Sequence, residues 1–178
     1  LVREMIEDQT MKSYIEHIMF NEVAPTVDLP KAEKTEFAHQ IIERFANPFI
    51  AHRLLDITLN SVSKWTVRVL PTLLDRVSAD GHPPRLLAFS LSALMRFYRV
   101  QFINGQYIGI RENSFFAKLW SHNDIETIVA ETLANDELWP IRLDDIPDFV
   151  ETVTADLKLT NSDGMKAAIV NALKEAKK

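Results

Sequence analysis

Asn60, Lys64 and Arg68, spaced four residues apart, carry the strongest chemical signal in the chain. On a helix, positions i, i+4 and i+8 fall nearly on one line, which sets an amide, an ammonium and a guanidinium side by side. Val62, Trp65, Val69, Leu73 and Val77 recur at helical spacing and predict an apolar stripe on the opposite side. Two stacked cations beside an apolar face suit an anionic, hydroxylated small molecule. A solvated helix face shows the same pattern. For Arg68 the plain alternative is an ion pair with an acid such as Asp75, and for Asn60 it is a cap at a helix joint. Ser61 and Ser63 near Lys64 suggest a serine–lysine nucleophile pair, but no oxyanion-hole glycine accompanies them.

Other chemistries find no support. Gly81, Gly105, Gly109 and Gly164 are the four glycines, and none forms GxGxxG or a P-loop, so this segment has no phosphate cradle of its own. His17, His39, His52, His82 and His122 match no metal-binding spacing. The pairs His52/Asp56 and His39/Glu43 stand at i, i+4, a spacing for ligand or acid/base pairs that more often marks surface helix contacts.

The elements around these residues are predicted to be helical. A helix capped by Thr10 runs to Phe20, with Met11, Tyr14, Ile15, Ile18 and Met19 at helical spacing. A short continuation, Glu22 to Val27, is stopped by Pro25 and Pro30. Lys31 to Phe45 forms a helix that buries Phe37, Ile41, Ile42 and Phe45. After Asn47-Pro48 another helix presents Ile50, Leu54 and Ile57. Asn60-Ser61 is the seam before the Lys64 helix, which Pro71 should bend and Asp80-Gly81 should end. Arg85 to Val100 is apolar nearly all round and must be central. Asn104-Gly105 between short apolar runs predicts a β-hairpin. Helices resume at Ser114–Ser121, Asn123–Leu133 and Ile146–Leu157, and again after Asn161. The expected fold class is all-α, eight or so helices with one small β-hairpin.

The 178 residues make one domain, or one and a small appendage, with a core that needs no staples. The absence of cysteine excludes disulfides, thiol catalysis and thiolate zinc sites. A net charge of -5 argues against a nucleic-acid partner. No apolar run approaches the ~18 residues of a membrane span, and a cytoplasmic location is expected. Leu1 is not an initiator Met, and Val2 to Met5 already reads as helix interior, so a fragment lacking its preceding part is expected.

The run Arg44-Phe45-Ala46-Asn47-Pro48, then Ser63-Lys64, then Leu70-Pro71-Thr72-Leu73 resembles the C-terminal domain of the long-chain mannitol dehydrogenase family. Phe20-Asn21-Glu22-Val23-Ala24-Pro25-Thr26 is similar to that family's EE-x-x-P-like helix end. Asn47-Pro48-Phe49-Ile50 with His52, Leu59-Asn60, Lys64 to Pro71, Pro84-Arg85-Leu86, Phe97-Tyr98-Arg99, Leu119-Trp120 and Leu138-Trp139 look most like the tagaturonate reductase (altronate oxidoreductase) branch. The resemblance implies a multi-helix C-terminal domain of the 6-phosphogluconate-dehydrogenase-like type, occupying residues 1–178. It further implies an N-terminal Rossmann domain, absent from this chain, that binds the NAD cofactor. The family's catalytic K-x-x-x-x-N-x-x-H motif would lie upstream of Leu1, so no catalytic residue is expected here. Lys64 matches a second family lysine that contacts substrate, and Lys64, Arg68 and Asn60 are the substrate-binding candidates. The polyol-oxidising branch carries an arginine eight residues before that lysine. Asp56 stands there, which disfavours mannitol itself. The expected reaction interconverts tagaturonate and altronate, a hexuronate/hexonate pair, by hydride transfer. Fructuronate reductase, mannitol dehydrogenase and a non-catalytic helical interaction domain remain the alternatives.

Overall fold

Helix α1 spans Val2–Glu7 and α2 spans Gln9–His17. A π-helical turn over Ile18–Val23 and a 3-10 turn over Ala24–Thr26 extend α2. Then come α3, Lys31–Ala46; α4, Ser61–Arg68; α5, Leu70–Asp80; and α6, Arg85–Arg99. Strands β1 (Phe102–Ile103) and β2 (Gln106–Tyr107) pair antiparallel, Phe102 opposite Tyr107. After them follow α7, Arg111–Leu119; α8, Ile125–Leu133; a 3-10 turn, Leu143–Asp145; α9, Phe149–Asp163; and α10, Met165–Glu175. The computed structural model describes residues 2–47, 49, 58–99, 102–103, 106–107, 111–121 and 124–177. The helix expected at Ile50, Leu54 and Ile57, together with His52 and Asp56, lies outside the described residues.

α6 is the axis of the molecule. One of its sides, with Leu87, Leu91, Met95 and Tyr98, packs into the main core with Val62, Trp65, Leu73, Phe116, Phe149 and Val153. Its other side, Leu86 and Phe89, packs with Ala168, Ile169 and Ala172 of α10. A helix buried on both sides needs apolar residues all round, and this sequence supplies them. The polar ends of core aromatics are satisfied: Tyr14 Oη donates to the Leu86 carbonyl, Trp120 Nε1 to that of Met95 and Trp139 Nε1 to that of Thr132.

Two buried carboxylates hold the start of α6. Pro83 and Pro84 precede it and have no N–H groups to satisfy. The Leu86 and Leu87 N–H groups donate to Glu22 Oε1 and Oε2 at 2.8 and 2.7 Å. Burial raises the Glu22 carboxyl above its ordinary range, and these two bonds and the charges of Arg76 and Arg85 oppose that rise. Arg85 forms a two-pronged pair with Asp156 of α9, at 2.8 and 2.6 Å, and donates its Nε to Glu175 of α10 at 2.7 Å. Burial alone lowers the Arg85 guanidinium, but the hydrogen bonds and charge of Asp156 and Glu175 raise it overall.

Several local expectations need correction. The cap of α2 is Asp8, whose Oδ1 accepts from the N–H groups of Thr10 and Met11 at 2.9 and 3.1 Å, and Thr10 lies inside the helix. An ionised carboxylate is the stronger acceptor at a helix start, and the Lys166 ammonium beside it lowers its pKa further. α3 does not bury Phe37 and Phe45, which are 41% and 37% exposed; Ala38 is its buried residue. The helix packs at the edge, against α1 and the two short turns, so its apolar face is largely uncovered among the described residues. At Pro71 the interruption is local, as expected of a bend: α4 ends and α5 begins on either side of Val69, whose own backbone stays helical. α9 begins at Phe149 and runs to Asp163, beyond the predicted Leu157.

Removing one member of the Arg85 clamp leaves Asp156, only 2% exposed, as a lone buried charge. Arg85→Met is expected to cost about 3–5 kcal/mol of unfolding free energy, and Arg85→Met with Asp156→Leu much less. Urea denaturation of both variants measures this; equal losses would mean the pair itself stabilises the fold.

Candidate functional site

α4 starts at an unusual backbone position. Asn60 has φ 57° and ψ 40°, the left-handed region that asparagine tolerates better than most residues. Its carbonyl accepts the Lys64 N–H at 2.9 Å, and its side chain makes no capping bond. The helix ends eight residues later because Pro71 has no N–H for the Val67 carbonyl and its ring crowds that turn. The chain recovers at once: Val69 N–H reaches the Trp65 carbonyl at 2.8 Å, and Leu73 N–H reaches that of Val69 at 3.0 Å. α4 is therefore a short rod between the left-handed Asn60 and the proline interruption at Val69, whose own backbone stays helical.

A concavity of about 420 Å³ lies between α4 and α6. α4 contributes Ser61, Lys64, Trp65 and Arg68, at i, i+3, i+4 and i+7. α6 contributes Ser90, Leu94 and Phe97, at i, i+4 and i+7; Thr58 and Val69 complete the lining. Each set occupies one helix face, so two rows of side chains confront each other across a groove. Lys64 is partly exposed and Arg68 exposed. The two cations therefore border the opening, and Val69, Leu94 and Phe97 give the groove an apolar wall. Trp65 is buried, with its edge against Trp139 at 5.4 Å between centroids, and its Nε1 donates to Ser90 Oγ at 2.9 Å. Ser90 Oγ in turn donates to the Leu87 carbonyl at 2.6 Å. This bond chain fixes α4 against α6.

Of the three predicted residues, the structure brings Lys64 and Arg68 to one groove and leaves Asn60 outside its lining. The helical line Asn60–Lys64–Arg68 breaks because Asn60 is not helical. Trp65 and Val69, assigned by spacing to the far side of the helix, also line the groove, because it opens beside α4 and not squarely above the cations. Among the described residues neither Arg68 nor Asp75 enters an ion pair, whereas Arg76 pairs with Asp80 at 2.7 Å. Sequence reasoning missed the α6 wall. Its signal was Ser90, the polar position in the run Leu86–Leu91 that shares a face with Leu94 and Phe97.

A second concavity, about 430 Å³, opens at the start of α6 near His17, Asn21, Glu22, Arg76, His82 and Arg85. Several of its charged groups are engaged in structure: Glu22 with two backbone N–H groups, Arg85 with two carboxylates, and Arg76 with Asp80, although Arg76 Nε is buried without a hydrogen-bond partner. Burial and the nearby Lys177 charge hold His17 below its ordinary pKa. Among the described residues no cluster of three or more His, Asp or Glu side chains can hold a metal ion, and no helix is long and apolar enough to cross a membrane. The groove between α4 and α6 is the better candidate, since Lys64 and Arg68 line it beside an apolar wall.

Residues 1–160 match the family model described as the mannitol dehydrogenase C-terminal domain. Altronate oxidoreductases from Escherichia coli strain K12 and from Shigella flexneri are each 35% identical over 177 residues, covering 94% of this chain and 36% of the relative. The chain thus spans about a third of the length of these curated relatives. The fold is similar to that of Pseudomonas fluorescens mannitol 2-dehydrogenase, solved as a ternary complex with NAD and D-mannitol. The TM-score is 0.75 at 23% identity, covering 98% of this chain and 35% of the other.

The Trp65–Ser90 bond supplies a test of how the groove is held. Trp65→Phe keeps most of the ring contact with Trp139 but loses the donor, and is expected to cost about 1–2 kcal/mol. Trp65→Ala, which empties the wall, is expected to cost about 3–5 kcal/mol. Denaturant titration of the two variants separates the hydrogen bond from the packing.

Proposed function

The chain belongs to the mannitol dehydrogenase C-terminal domain family, and from that premise we propose that it is the substrate-binding C-terminal part of an NAD-dependent oxidoreductase interconverting tagaturonate and altronate by hydride transfer. The observation that carries this reading is the convergence of Lys64 and Arg68 on one groove with an apolar wall. A keto-uronate differs from a ketose in its carboxylate, and a carboxylate leaving water needs a charge-assisted partner. A guanidinium offers two parallel donors to it, and an ammonium one turn away holds neighbouring hydroxyls. In this scheme Arg68 takes the carboxylate and Lys64 the hydroxyls. The 35% identity to altronate oxidoreductases supports the choice of sugar acid. Asp56, where the polyol-oxidising branch carries arginine, weighs against mannitol.

Among the described residues no glycine turn cradles the phosphates of NAD. Gly81 and Gly164 follow the ends of α5 and α9, each at positive φ, and form no phosphate-binding turn. The cofactor and the catalytic lysine, asparagine and histidine belong, in this proposal, to an N-terminal Rossmann domain preceding this chain. The present domain binds and orients the sugar acid, shields it from water and leaves the redox step to that partner domain.

In the full-length enzyme, Arg68→Ala is expected to raise KM for tagaturonate roughly 10–100-fold, as loss of a charged hydrogen bond worth ~1.5–3 kcal/mol requires. Steady-state assays with tagaturonate, fructuronate and fructose, each with NADH and NADPH, measure it. Unchanged KM for the uronates in that variant would remove Arg68 from the site, and preference for fructose would displace the uronate reading.

A further inference from the structure

We propose that Ser61 and Ser90 are specificity-determining residues that present only hydrogen-bond acceptors to the groove, so that it reads a hydroxyl hydrogen on the substrate while Arg68 takes the carboxylate. The inference rests on the uronate reading above and extends it to the direction in which the sugar acid lies.

A hydroxyl has one hydrogen and two lone pairs. Ser90 Oγ places its hydrogen on the Leu87 carbonyl at 2.6 Å and receives Trp65 Nε1–H at 2.9 Å. One lone pair is left for a ligand. Ser61 Oγ places its hydrogen on the Thr58 carbonyl, so it too faces a ligand as an acceptor. Trp65 has one donor and no acceptor, and that donor is directed at Ser90. Lys64 and Arg68 carry donors only. Val69, Leu94 and Phe97 offer carbon alone. The groove is thus polarised: donors on Lys64 and Arg68, acceptors on Ser61 and Ser90, and an apolar wall.

Each alternative pose meets a penalty. A carboxylate turned toward the serines faces oxygen lone pairs without a compensating donor. A methyl ether or a ketone in place of the recognised hydroxyl has no hydrogen to give. An epimer whose hydroxyl points at Leu94 and Phe97 loses its water without gaining a partner. Sites built to pair a substrate hydroxyl reject analogues lacking it more strongly than apolar pockets reject a size change.

The test uses full-length enzyme and measures kcat/KM for tagaturonate, for its monodeoxy analogues and for the matching methyl ethers. Wild type is expected to disfavour one monodeoxy analogue about 3–10-fold, and the methyl ether at that position more strongly. Ser61→Ala and Ser90→Ala should each lower kcat/KM for tagaturonate by about 3–10-fold, the loss typical of a neutral hydrogen bond. For the analogue lacking the recognised hydroxyl, at least one of these substitutions should change kcat/KM less than 2-fold. A packing defect, including the loss of Trp65's partner in Ser90→Ala, would depress all substrates alike. The wild-type comparison stands even where a variant folds poorly. If wild type treats the monodeoxy analogues alike, or both variants lose equally on every substrate, the acceptor role is overturned. The uronate reading survives that result if Arg68→Ala, assayed in parallel, still raises KM. If Arg68→Ala leaves KM unchanged, both fall together.

Discussion

A helix buried on every side has a difficulty at its first turn, where leading N–H groups lack intrahelical partners and water cannot reach them. α6 meets that difficulty with Leu86 fully buried and Leu87 nearly so. Two prolines before it reduce the number of donors, and the two oxygens of Glu22 take the N–H groups of Leu86 and Leu87. A carboxylate so deep in the protein is unfavourable by itself, and its position at the positive end of a helix offsets part of that cost. Glu22 comes from the π-helical turn Ile18–Val23, in which the Ala24 N–H reaches back five residues to the Met19 carbonyl. The wider turn adds a residue to the helix and changes the face on which the following side chains emerge. The seating of the central helix therefore depends on an irregularity in a different one.

The groove inherits this rigidity. Ser90, Leu94 and Phe97 are fixed because α6 is fixed, and α4 is tied to them through Trp65. Arg85 extends the same fixation to α9 and α10 through Asp156 and Glu175. A binding site on packed helices holds its polar groups in place before the ligand arrives, which reduces the ordering cost of binding. α4, eight residues long, is too short to be stable alone. Its place is set by tertiary contacts and by the breaks at Asn60 and Val69.

The helical class and the central position of α6 were legible because burial on both faces leaves a long run of apolar residues and nothing else explains it. The two cations were legible because spacing on a helix is a local property. What was not legible depended on partners distant in sequence. Asp8 and Thr10 are both acceptable caps by type, and the Asp8 carboxylate that takes the role also pairs with Lys166, 158 residues away. Glu22 reads as a solvent-facing acid until Leu86 and Leu87 are brought to it. Phe37 and Phe45 have the right spacing for burial, yet the face they form is largely uncovered among the described residues. The groove was half legible: one wall lies in the stretch that carries the cations, and the other lies more than twenty residues on, in a helix whose apolar content concealed the role of Ser90.

The chain is acidic, at -5, and the ligand proposed for it is also an anion, so the distribution of charge matters more than its sum. α6 separates the two signs along its length. At its start Arg85 is surrounded by Glu22, Asp156 and Glu175, and its last turn carries Arg96 and Arg99. From Arg85 to Leu94 is nine residues, roughly 14 Å at the rise of an α-helix. The acids at the start of α6 are also engaged there by Arg85 and by backbone N–H groups, whereas Lys64 and Arg68 line the groove itself. The negative end of the α4 dipole favours a cation at Arg68, in the last turn of that helix. Under the proposed function, an acidic protein presents a locally basic opening to an acidic sugar, with the carboxylates that stabilise its fold kept at the far end of the helix that lines the groove.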